Sequence, residues 1–600
     1  MRKNGTIPAM ADQTDKSWLK AILKPLAPAF REVMVMSLFV NLLALGLPVF
    51  VMQVYNRVVF YKGTQTLIAL VAGVAIVILF DYVLRQARSR VLQKAALLID
   101  VELGRALFNK VSALPLRMLE SRPSNYWHSL FRDADTIRNM FSGPTAVLAA
   151  ELPFIPIFIV IVFVIAEPIA WVLLVIVPVF LIVAWVSGGM LENANTQEKD
   201  RMLDREAMLA EMLQGRTTIK ALAIEQGFRE KWESQHATVI KRSLTRGFWS
   251  DSFANLTMSL SFITTVSLTT VGALAILDQR LSIGALIATN MLSNRLIQPL
   301  NQLVNTWRNY ALYKQAIVRL SEAFALAQER TETTITLSRP AGEIELENIS
   351  FSFAEDGGKV IDGITMRIKP GGMIGLIGPN GSGKTTLMKL MQGLYQPDQG
   401  RVLLDGSDII QYTRADLAPW IGYVPQEAAL FHGTIRDNIC GMKDDADDAL
   451  IIEAAKSAGA HGFIADLPDG YGTDIGEAGM RLSGGQRQRI AVARALLHDP
   501  AVLLLDEVAA NLDRDAELAL RDRLVDMAKD RTIVISTHTP VLLAACRHIV
   551  GLEKGKVAIA GPTREVLAKM FGTPKKAVAD NTGDPQANAA ANTPAAEAGE

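Results

Sequence analysis

The chain contains little cysteine: Cys440 and Cys546 are the only two in 600 residues. Two cysteines cannot provide a disulfide framework, and they argue against a cysteine-based metal site. An excess of charge of one sign is also missing, because 61 Lys and Arg residues balance 61 Asp and Glu residues. General nucleic-acid binders usually carry a basic excess. We therefore expect no nucleic-acid partner.

A cleavable signal sequence is missing as well. Residues 1–32 are polar and mixed in charge, and no short apolar core precedes a cleavage site of small residues. The first long apolar run begins near Val33 and is long enough to cross a membrane. We therefore interpret residues 1–32 as a segment that precedes a first membrane span.

Hydrophobic residues, by contrast, are abundant: they make up 50% of the chain, and the mean hydropathy is +0.22. Such values in a chain of this size make membrane spans the first hypothesis. Several segments approach the ~20 residues that a ~30 Å hydrocarbon core requires. They are residues 33–56, 65–87, 143–165, 168–188, 252–277 and 282–304. The sequence thus predicts an all-α, six-helix transmembrane domain over residues 33–325.

The last of these segments is the least apolar, because Asn290, Asn294, Arg295 and Gln298 interrupt it. It is either a soluble helix or a span that lines a wet cavity, since polar side chains at membrane depth persist only where they face protein or water. Asp81 in the second segment also has two interpretations. It either lies at a wet interface near the cytoplasmic end of the span, or it contacts a transported substrate.

The loops after the second and fourth segments are long and rich in cations. Their cations include Arg85, Arg88, Arg90, Lys94, Arg105 and Lys110 in the first loop, and Lys199, Arg201, Arg205, Arg216, Lys220 and Arg229 in the second. The positive-inside rule places both loops, and both ends of the chain, in the cytoplasm. Helical periodicity and acid–base pairs indicate helices that continue beyond the membrane.

The second half of the chain has a different pattern. Residues 326–341 form a predicted linker, and from Ile344 short β-rich runs alternate with helices. This alternation is typical of an α/β domain with a largely parallel sheet, which we assign to residues 342–572. Residues 573–600 are rich in Ala, Asn, Pro and Thr without apolar periodicity, so we expect a disordered tail.

A phosphate-binding loop lies near the start of the α/β domain. It consists of Gly378, Pro379, Asn380, Gly381, Ser382, Gly383, Lys384 and Thr385, and Thr386 follows it. A strand-like run precedes the loop and a helix-forming run follows, which is the context this motif requires. The glycines let backbone N–H groups turn toward phosphates, Lys384 reaches the terminal phosphates, and the hydroxyl of Thr385 suits Mg²⁺.

Two adjacent acids end an apolar run further along the chain. Residues 502–505 read VLLL, and Asp506 and Glu507 follow. A buried strand of a parallel sheet has this composition, and ligands bind at the carboxyl ends of such strands. We therefore predict that Asp506 is a partner of Mg²⁺ and that Glu507 polarises a water molecule.

Residues 482–488 read LSGGQRQ and resemble the signature sequence of the ATP-binding-cassette (ABC) family. The resemblance implies that Ser483, Gly484, Gly485 and Gln486 contact ATP. Further positions match other motifs of the family: Phe353 as the base-stacking aromatic residue, Gln426 as the Q-loop glutamine, Asn511-Leu512-Asp513 as the D-loop and His538 as the switch histidine.

This resemblance implies roles for the matched side chains. Gln426, Glu507 and His538 would form the catalytic group, Asp513 would lie at the ATP site, and Gln426 would join Thr385 and Asp506 around Mg²⁺. Two positions depart from the family pattern. Phe353 stands where Tyr is usual, and Val508 replaces the usual Pro after the catalytic Glu. Neither change removes a catalytic group.

The resemblance also implies a dimer, because the phosphate loop and the signature of one ABC chain cannot close on the same nucleotide. Two ATPase domains would pack head to tail, with the helix N-terminus after Ser483 facing the γ-phosphate held by the other domain. This chain carries one intact set of motifs, so the simplest assembly is a homodimer.

The membrane half resembles type I exporters, and within them the permease/ATPase of bacterial type I protein secretion. The resemblance rests on residues 47–59 (LPVFVMQVYNRVV) and 283–300 (IGALIATNMLSNRLIQPL). It implies a bacterial inner-membrane protein surrounded by lipid, a periplasmic adaptor, an outer-membrane channel and an unfolded polypeptide cargo. Only 32 residues precede the first predicted span and none is cysteine, so we expect no leader-peptidase activity.

Three other functions remain to be weighed. An exporter of lipid or small amphiphiles without an adaptor is the main alternative. A soluble ABC ATPase acting on nucleic acid or ribosomes conflicts with the predicted spans. An ATP-gated channel or regulator is disfavoured because Glu507 and His538 are both present.

Overall fold

The computed structural model describes residues 17–330, 338–354, 357–442, 446–510 and 512–571. The chain forms two compact units, one up to Gln328 and one from Glu329 onward. The first is helical and the second is α/β, as predicted. Residues 1–16, the middle of the predicted linker and the predicted tail lie outside the described residues.

The described part of the N-terminal unit consists of helices joined by short turns. Their bounds are α1 Ser17–Leu23, α2 Ala27–Leu43, α3 Gly46–Gln53, α4 Val59–Tyr61, α5 Thr64–Ser112, α6 Leu116–Glu120, α7 Ser124–Met140, α8 Gly143–Glu151, α9 Ile155–Ile165, α10 Glu167–Gln214, α11 Arg216–Leu222, α12 Glu225–Leu277 and α13 Ile283–Ala325. A π-helical turn, Val54–Val58, joins α3 to α4.

Three of these helices are much longer than a membrane is thick. Helices α5, α10 and α12 contain 49, 48 and 53 residues. At 1.5 Å per residue each extends over about 70–80 Å, more than twice a ~30 Å hydrocarbon core. The long cation-rich loops are therefore largely continuations of membrane helices, which confirms the prediction made from their periodicity.

Five helical stretches in the described part of the chain are long and apolar enough to cross a membrane. They are Ser17–Tyr61, Thr64–Ser112, Gly143–Ile165, Glu167–Gln214 and Glu225–Leu277. They contain the first five predicted spans. The sixth predicted span lies on α13, whose polar residues keep it out of this set, so a total of six spans stays a prediction.

The membrane helices pack through one apolar side and expose another. Val162, Leu173, Leu268 and Leu296 are buried together where α9, α10, α12 and α13 meet. Many large apolar side chains of the same helices, such as Ile78 on α5, point outward. A helix that is apolar on all sides suits hydrocarbon surroundings rather than water.

The described part of the segment before the first predicted span packs against other helices. Trp18 on α1 donates a hydrogen bond from Nε1 to Ser321 Oγ at 3.0 Å, and its ring stacks on Phe324 at 5.0 Å. Leu19 is buried in the same cluster, between α5 and α13. Helix α1 is thus part of the helical core.

A buried ionic cluster joins three helices of this unit. Asp133 on α7 accepts two hydrogen bonds from Arg319 on α13, both at 2.6 Å. Lys199 on α10 lies 3.4 Å from the same carboxylate. Only 3% of the Asp133 side chain is exposed, so the carboxylate depends on these two cations for its stability.

The described part of the C-terminal unit contains ten strands and nine further helices. The strands are β1 Ile344–Phe351, β2 Ile361–Ile368, β3 Gly372–Ile377, β4 Gln399–Leu404, β5 Ser407–Asp408, β6 Ile421–Val424, β7 Val502–Asp506, β8 Thr532–Ser536, β9 His548–Glu553 and β10 Lys556–Pro562. The helices are α14 Lys384–Met391, α15 Arg414–Leu417, α16 Ile435–Cys440, α17 Asp448–Ser457, α18 His461–Ala465, α19 Gly484–Leu496, α20 Arg514–Met527, α21 Pro540–Ala545 and α22 Thr563–Phe571.

These strands form two sheets. The larger sheet has the order β10-β9-β3-β8-β7-β6. Its parallel strands are β3, β6, β7, β8 and β9, and β10 runs antiparallel to β9. The smaller sheet, β2-β1-β4-β5, is antiparallel. The sequence analysis predicted the parallel sheet but not the smaller antiparallel sheet.

The strand order determines where the functional side chains meet. Strands β3, β8 and β7 are neighbours, and Ser536 pairs in register with both Leu376 and Asp506. The carboxyl ends of these three strands therefore lie side by side. Because parallel α/β sheets bind ligands at this edge, the segments that follow the three strands form the candidate site.

Candidate nucleotide-binding site

The phosphate loop connects β3 to α14, as predicted. Gly378, Gly381 and Gly383 have φ angles of 151°, 79° and 101°, which side chains other than glycine rarely adopt. Space is also restricted, because a Cβ at Gly378 would lie 2.3 Å from the carbonyl oxygen of Leu552. The loop therefore requires glycine at these positions, and its backbone can approach a ligand closely.

The side chains of the loop are arranged around the first turn of α14. Lys384 is buried, and its Nζ donates to the carbonyl oxygens of Gly378 at 2.8 Å and Pro379 at 3.3 Å. Ser382 is buried and its Oγ has no partner within the described residues. Thr385 is exposed, whereas Thr386 is buried. The ammonium of Lys384 is thus held directly over the loop backbone.

Asp506 ends the buried strand β7, and only 1% of it is exposed. Its Oδ2 and the Oγ of neighbouring Ser536 have no hydrogen-bond partner in the described part of the chain. An unsatisfied buried carboxylate oxygen is costly unless a ligand satisfies it. Mg²⁺ in nucleotide sites is usually bound by one or two protein groups together with phosphates and water. Asp506 and the exposed hydroxyl of Thr385 fit such a cation.

Glu507 meets Gln426 and His538 next to this edge. Gln426 Nε2 donates to Glu507 Oε2 at 3.1 Å, and His538 Nε2 lies 3.7 Å from Glu507 Oε1. Glu507 has a φ of 50°, and its N–H donates to the carbonyl oxygen of Ser536 at 2.9 Å. A left-handed conformation at a residue other than glycine costs about 1–3 kcal/mol and persists where its surroundings enforce it. The sheet thus directs this carboxylate toward the amide and the imidazole.

Phe353 follows β1 at the margin of the smaller sheet. Its ring is 53% exposed and contacts Phe351 and Tyr395 edge-on, at centroid distances of 5.2 and 5.8 Å. The two supporting rings stack on each other at 5.1 Å. An exposed aromatic ring held in this way can stack on a planar base.

The signature residues start α19. Ser483 caps the helix: its Oγ accepts from the N–H of Gln486 at 3.2 Å, and Gln486 Oε1 accepts from the N–H of Ser483 at 2.8 Å. Gly484 and Gly485 occupy the first turn, whose N–H groups have no acceptor within the helix. The N-terminus of this 13-residue helix therefore favours an anion.

Asp513 caps a different helix. Its Oδ1 accepts from the N–H of Ala516 at 2.7 Å at the start of α20. Asn511, in the same predicted D-loop, lies outside the described residues. The structure thus gives Asp513 a clear capping role, and its predicted role at the ATP site stays a prediction.

The sequence analysis missed a pair of residues that holds the loop after Gln426. Arg494 donates to the carbonyl oxygens of Ala429 and Asn438 at 2.9 and 2.7 Å, and to Asn438 Oδ1 at 3.0 Å. Asn438 is fully buried, and it exchanges two hydrogen bonds of 2.8 Å with the backbone of Phe431. The capping pattern of Thr434 and Asp437 at the start of α16 was the available signal in the sequence, but only the fold shows the partners of Asn438.

The fold of the second unit, and the site at the carboxyl edge of its parallel sheet, are those of a nucleotide-binding ATPase of the phosphate-loop class. This ATPase is fused to a helical membrane unit. Two family models match the chain: ABC transporter over residues 361–510, and ABC transporter transmembrane region over residues 30–300. The chain belongs to the ABC transporter family. It is an ATP-hydrolysing, multi-pass membrane transporter, and these findings confirm the family inferred from its motifs.

Similar proteins from bacteria match along most of the chain. The cyclolysin secretion/processing ATP-binding protein CyaB of Bordetella pertussis is 32% identical over 92% of this chain and 78% of its own length. The exotoxin translocation ATP-binding protein PaxB of Pasteurella aerogenes is 32% identical over 93% of this chain and 78% of its own length. The leukotoxin translocation ATP-binding protein LktB of Mannheimia glucosida is 31% identical over 93% and 79%.

The fold has a close structural counterpart. A bacterial Atm1-family ABC exporter with ATP bound superposes with a TM-score of 0.79 at 23% identity, over 91% of this chain and 97% of that one. The predicted architecture, a type I ABC exporter with a helical membrane domain before the nucleotide-binding domain, is therefore confirmed.

Proposed function

We propose that this chain is the permease/ATPase of a type I secretion system, which moves an unfolded polypeptide out of the cytoplasm. The observation that carries the proposal is the continuous similarity, over 92% of the chain, to proteins named for secretion or translocation of toxins. The similarity includes the membrane half, which contacts the cargo in a transporter, and not only the ATPase half.

The site residues suggest how ATP is held. Phe353 would stack on the adenine, and the N–H groups of residues 378–386 would surround the phosphates, with Lys384 at the terminal ones. Mg²⁺ would be held by Thr385, Gln426 and Asp506. When bound, it would neutralise phosphate charge. The unsatisfied Oδ2 of Asp506 supports this assignment.

The hydrolytic step would use the Glu507 group. Glu507 is placed to accept a proton from an attacking water molecule, because its carboxylate is held by Gln426 on one side and lies near His538 on the other. His538 would contact the γ-phosphate, and Gln426 would link this carboxylate to the segment after β6.

A homodimer would complete each site. Ser483, Gly484, Gly485 and Gln486 of one copy would face the γ-phosphate bound by the other, and Asp513 would lie near the same nucleotide. The N-terminus of α19, with the N–H groups of Gly484 and Gly485 in its first turn, supports this role.

The cation-rich loops support a location in the bacterial inner membrane, with the ATPase unit and both termini in the cytoplasm. A periplasmic adaptor and an outer-membrane channel are the expected partners, with membrane lipid around the spans.

Glu507→Gln tests the catalytic assignment. The amide keeps the hydrogen bond to Gln426 but cannot accept the proton, so the turnover number for ATP should fall about 10²–10⁴-fold while ATP still binds. Purified full-length protein in nanodiscs would be assayed for phosphate release and ATP binding. Glu453→Gln, on the exposed surface of α17, is the matched control and should hydrolyse ATP normally. Near-normal hydrolysis by Glu507→Gln would refute the assignment.

The transport proposal is tested by comparing proteins secreted by cells with and without this gene, complemented by wild-type or Glu507→Gln protein. Loss of a specific polypeptide from the medium, restored only by the active protein, would support type I secretion. An unchanged set of secreted proteins, together with ATPase activity stimulated by lipid alone, would favour the lipid-exporter alternative.

A further inference from the structure

Helix α13 carries a polar ridge along the sixth predicted span. Asn290, Asn294, Gln298 and Gln302 recur every four residues and lie on the exposed or half-exposed side of the helix. The opposite side, with Leu292, Leu296, Ile297 and Leu300, is buried against α9, α10 and α12. Polar groups at this depth cannot face hydrocarbon. The ridge therefore faces water or protein rather than lipid.

A cavity of about 410 Å³ opens beside this ridge. Arg295, Gln298 and Gln302 contribute from α13, and Arg85 and Arg88 from α5. Asn41 of α2, Ser89 of α5 and Glu151 of α8 add to the polar lining, while Phe158 of α9 is part of the apolar lining. The lining thus contains three guanidinium groups and one carboxylate.

Two of the three guanidinium groups already have acidic partners. Arg85 Nε lies 2.7 Å from Asp81, and Arg88 lies 3.1 Å from Glu151 while it also donates to Ser37 Oγ at 3.1 Å. Asp81, for which the sequence left two interpretations open, thus pairs with Arg85, and both interpretations stay open.

Arg295 differs from these two arginines. It is exposed to the cavity, and no carboxylate of the described residues lies within ion-pair distance of it. A cavity in which all other charges are paired therefore keeps one positive charge. A guanidinium binds carboxylates through two parallel hydrogen bonds, which makes an acidic group its preferred ligand.

We propose that Arg295 and the polar ridge of α13 form a binding site for an extended polypeptide segment that carries carboxylate side chains. The inference rests on the proposed function and specifies the chemistry of its cargo. The spacing supports a polypeptide rather than a lipid headgroup. Side chains four residues apart on a helix are about 6 Å apart along its axis, close to the roughly 6.6 Å between alternate residues of an extended chain.

The test measures binding of two synthetic unstructured peptides, one with regularly spaced Asp residues and one with Asn at the same positions. Full-length protein in phosphatidylcholine nanodiscs is titrated, and binding is followed by fluorescence anisotropy of the labelled peptide. Wild-type protein should bind the Asp peptide about tenfold more tightly, because only this peptide offers charge-assisted bonds to Arg295. The preference should shrink as salt is added.

Arg295→Gln should bind both peptides equally, and Arg295→Lys should retain part of the preference because it keeps the charge. Arg280→Gln is the matched control: Arg280 is exposed between α12 and α13 and does not line the cavity, so the preference should be unchanged. Size-exclusion chromatography and thermal unfolding check that each variant is folded. A preference that persists in Arg295→Gln would overturn the proposal.

Three further outcomes would also overturn the proposal, and they separate it from the proposed function. Equal binding of both peptides by wild-type protein would leave polypeptide export intact and refute only the role of charge. Binding of neither peptide, with no polypeptide missing from the medium of cells without the gene, would refute both. If phosphatidylglycerol nanodiscs abolish the preference and Arg295→Gln co-purifies with less of this lipid, the site serves a headgroup instead.

Discussion

Removing the side chain of Arg494 should loosen the loop that follows Gln426 while leaving the sheet intact. Arg494 lies in the last turn of α19 and connects this helix to Ala429 and Asn438. Burial lowers the pKa of the Arg494 guanidinium, but arginine remains charged at physiological pH. The substitution Arg494→Ala therefore removes a charged donor from a largely buried position.

The expected magnitude follows from the acceptors that lose their donor. The carbonyl of Asn438 belongs to the last turn of α16, where no helical N–H follows to satisfy it. Three hydrogen bonds of 2.7–3.0 Å disappear together. At about 1 kcal/mol net for each, we expect local destabilisation of roughly 2–4 kcal/mol. Local opening should then be about 30- to 1000-fold more frequent.

Hydrogen–deuterium exchange of the full-length protein, read by mass spectrometry on peptides covering residues 427–440, measures this opening directly. ATP hydrolysis should fall in parallel, since the hydrogen bond between Gln426 and Glu507 depends on the position of this loop. Arg521→Ala is the control, because Arg521 pairs only with the adjacent Asp522 among the described residues. Unchanged exchange at residues 427–440 in Arg494→Ala would refute the reasoning.

Three further outcomes are expected. Asp133→Ala leaves Arg319 without its buried partner and should lower the free energy of unfolding by about 3–5 kcal/mol in chemical denaturation. Burial raises the pKa of Cys546 to about 12, so roughly one thiol in 10⁴ is ionised at pH 8, and maleimide should not label it in the folded protein. Phe353→Ala should weaken ATP binding about 5- to 100-fold through lost stacking, whereas Phe353→Tyr should bind normally.

Each of these three predictions has either a control variant or a result that would contradict it. Asp135→Ala lies on the same helix as Asp133 but removes a half-exposed ion pair, so it should change stability by at most about 1 kcal/mol. For Cys546, the raised pKa means that the buried neutral thiol stabilises the fold below about pH 9, and this contribution declines as pH rises toward 12. Rapid labelling at pH 8, or equal ATP affinity in Phe353→Ala, would contradict these predictions.

Local features of the chain were predictable because their physical causes lie within short segments. The phosphate loop is one example: its glycines, its lysine and the helix that starts at Lys384 are consecutive, so the motif contains its own geometry. The strand that ends at Asp506 is another, since an unbroken apolar run indicates a buried strand. Loop periodicity likewise predicted that α5, α10 and α12 extend beyond the membrane.

Other features depend on residues that meet only after folding. Asp133 and Arg319 are both ordinary charged residues on helices, and nothing in their local sequence shows that they form a buried pair. The same holds for Asn438 and Arg494. The sixth predicted span is a third case: only the fold shows that α13 buries its apolar side and exposes its polar one, and the span itself stays a prediction.

By itself, the amino-acid sequence determined that this protein joins apolar helices to a phosphate-loop ATPase, because hydrophobic length and a contiguous glycine-rich loop are local properties. Tertiary structure decided which charges are paired and which remain free. Arg85 and Arg88 pair with carboxylates, whereas Arg295 has no such partner among the described residues, although all three are arginines near the ends or middle of apolar segments. The difference arises because ion pairs depend on distances between helices, which hydrophobic periodicity does not encode.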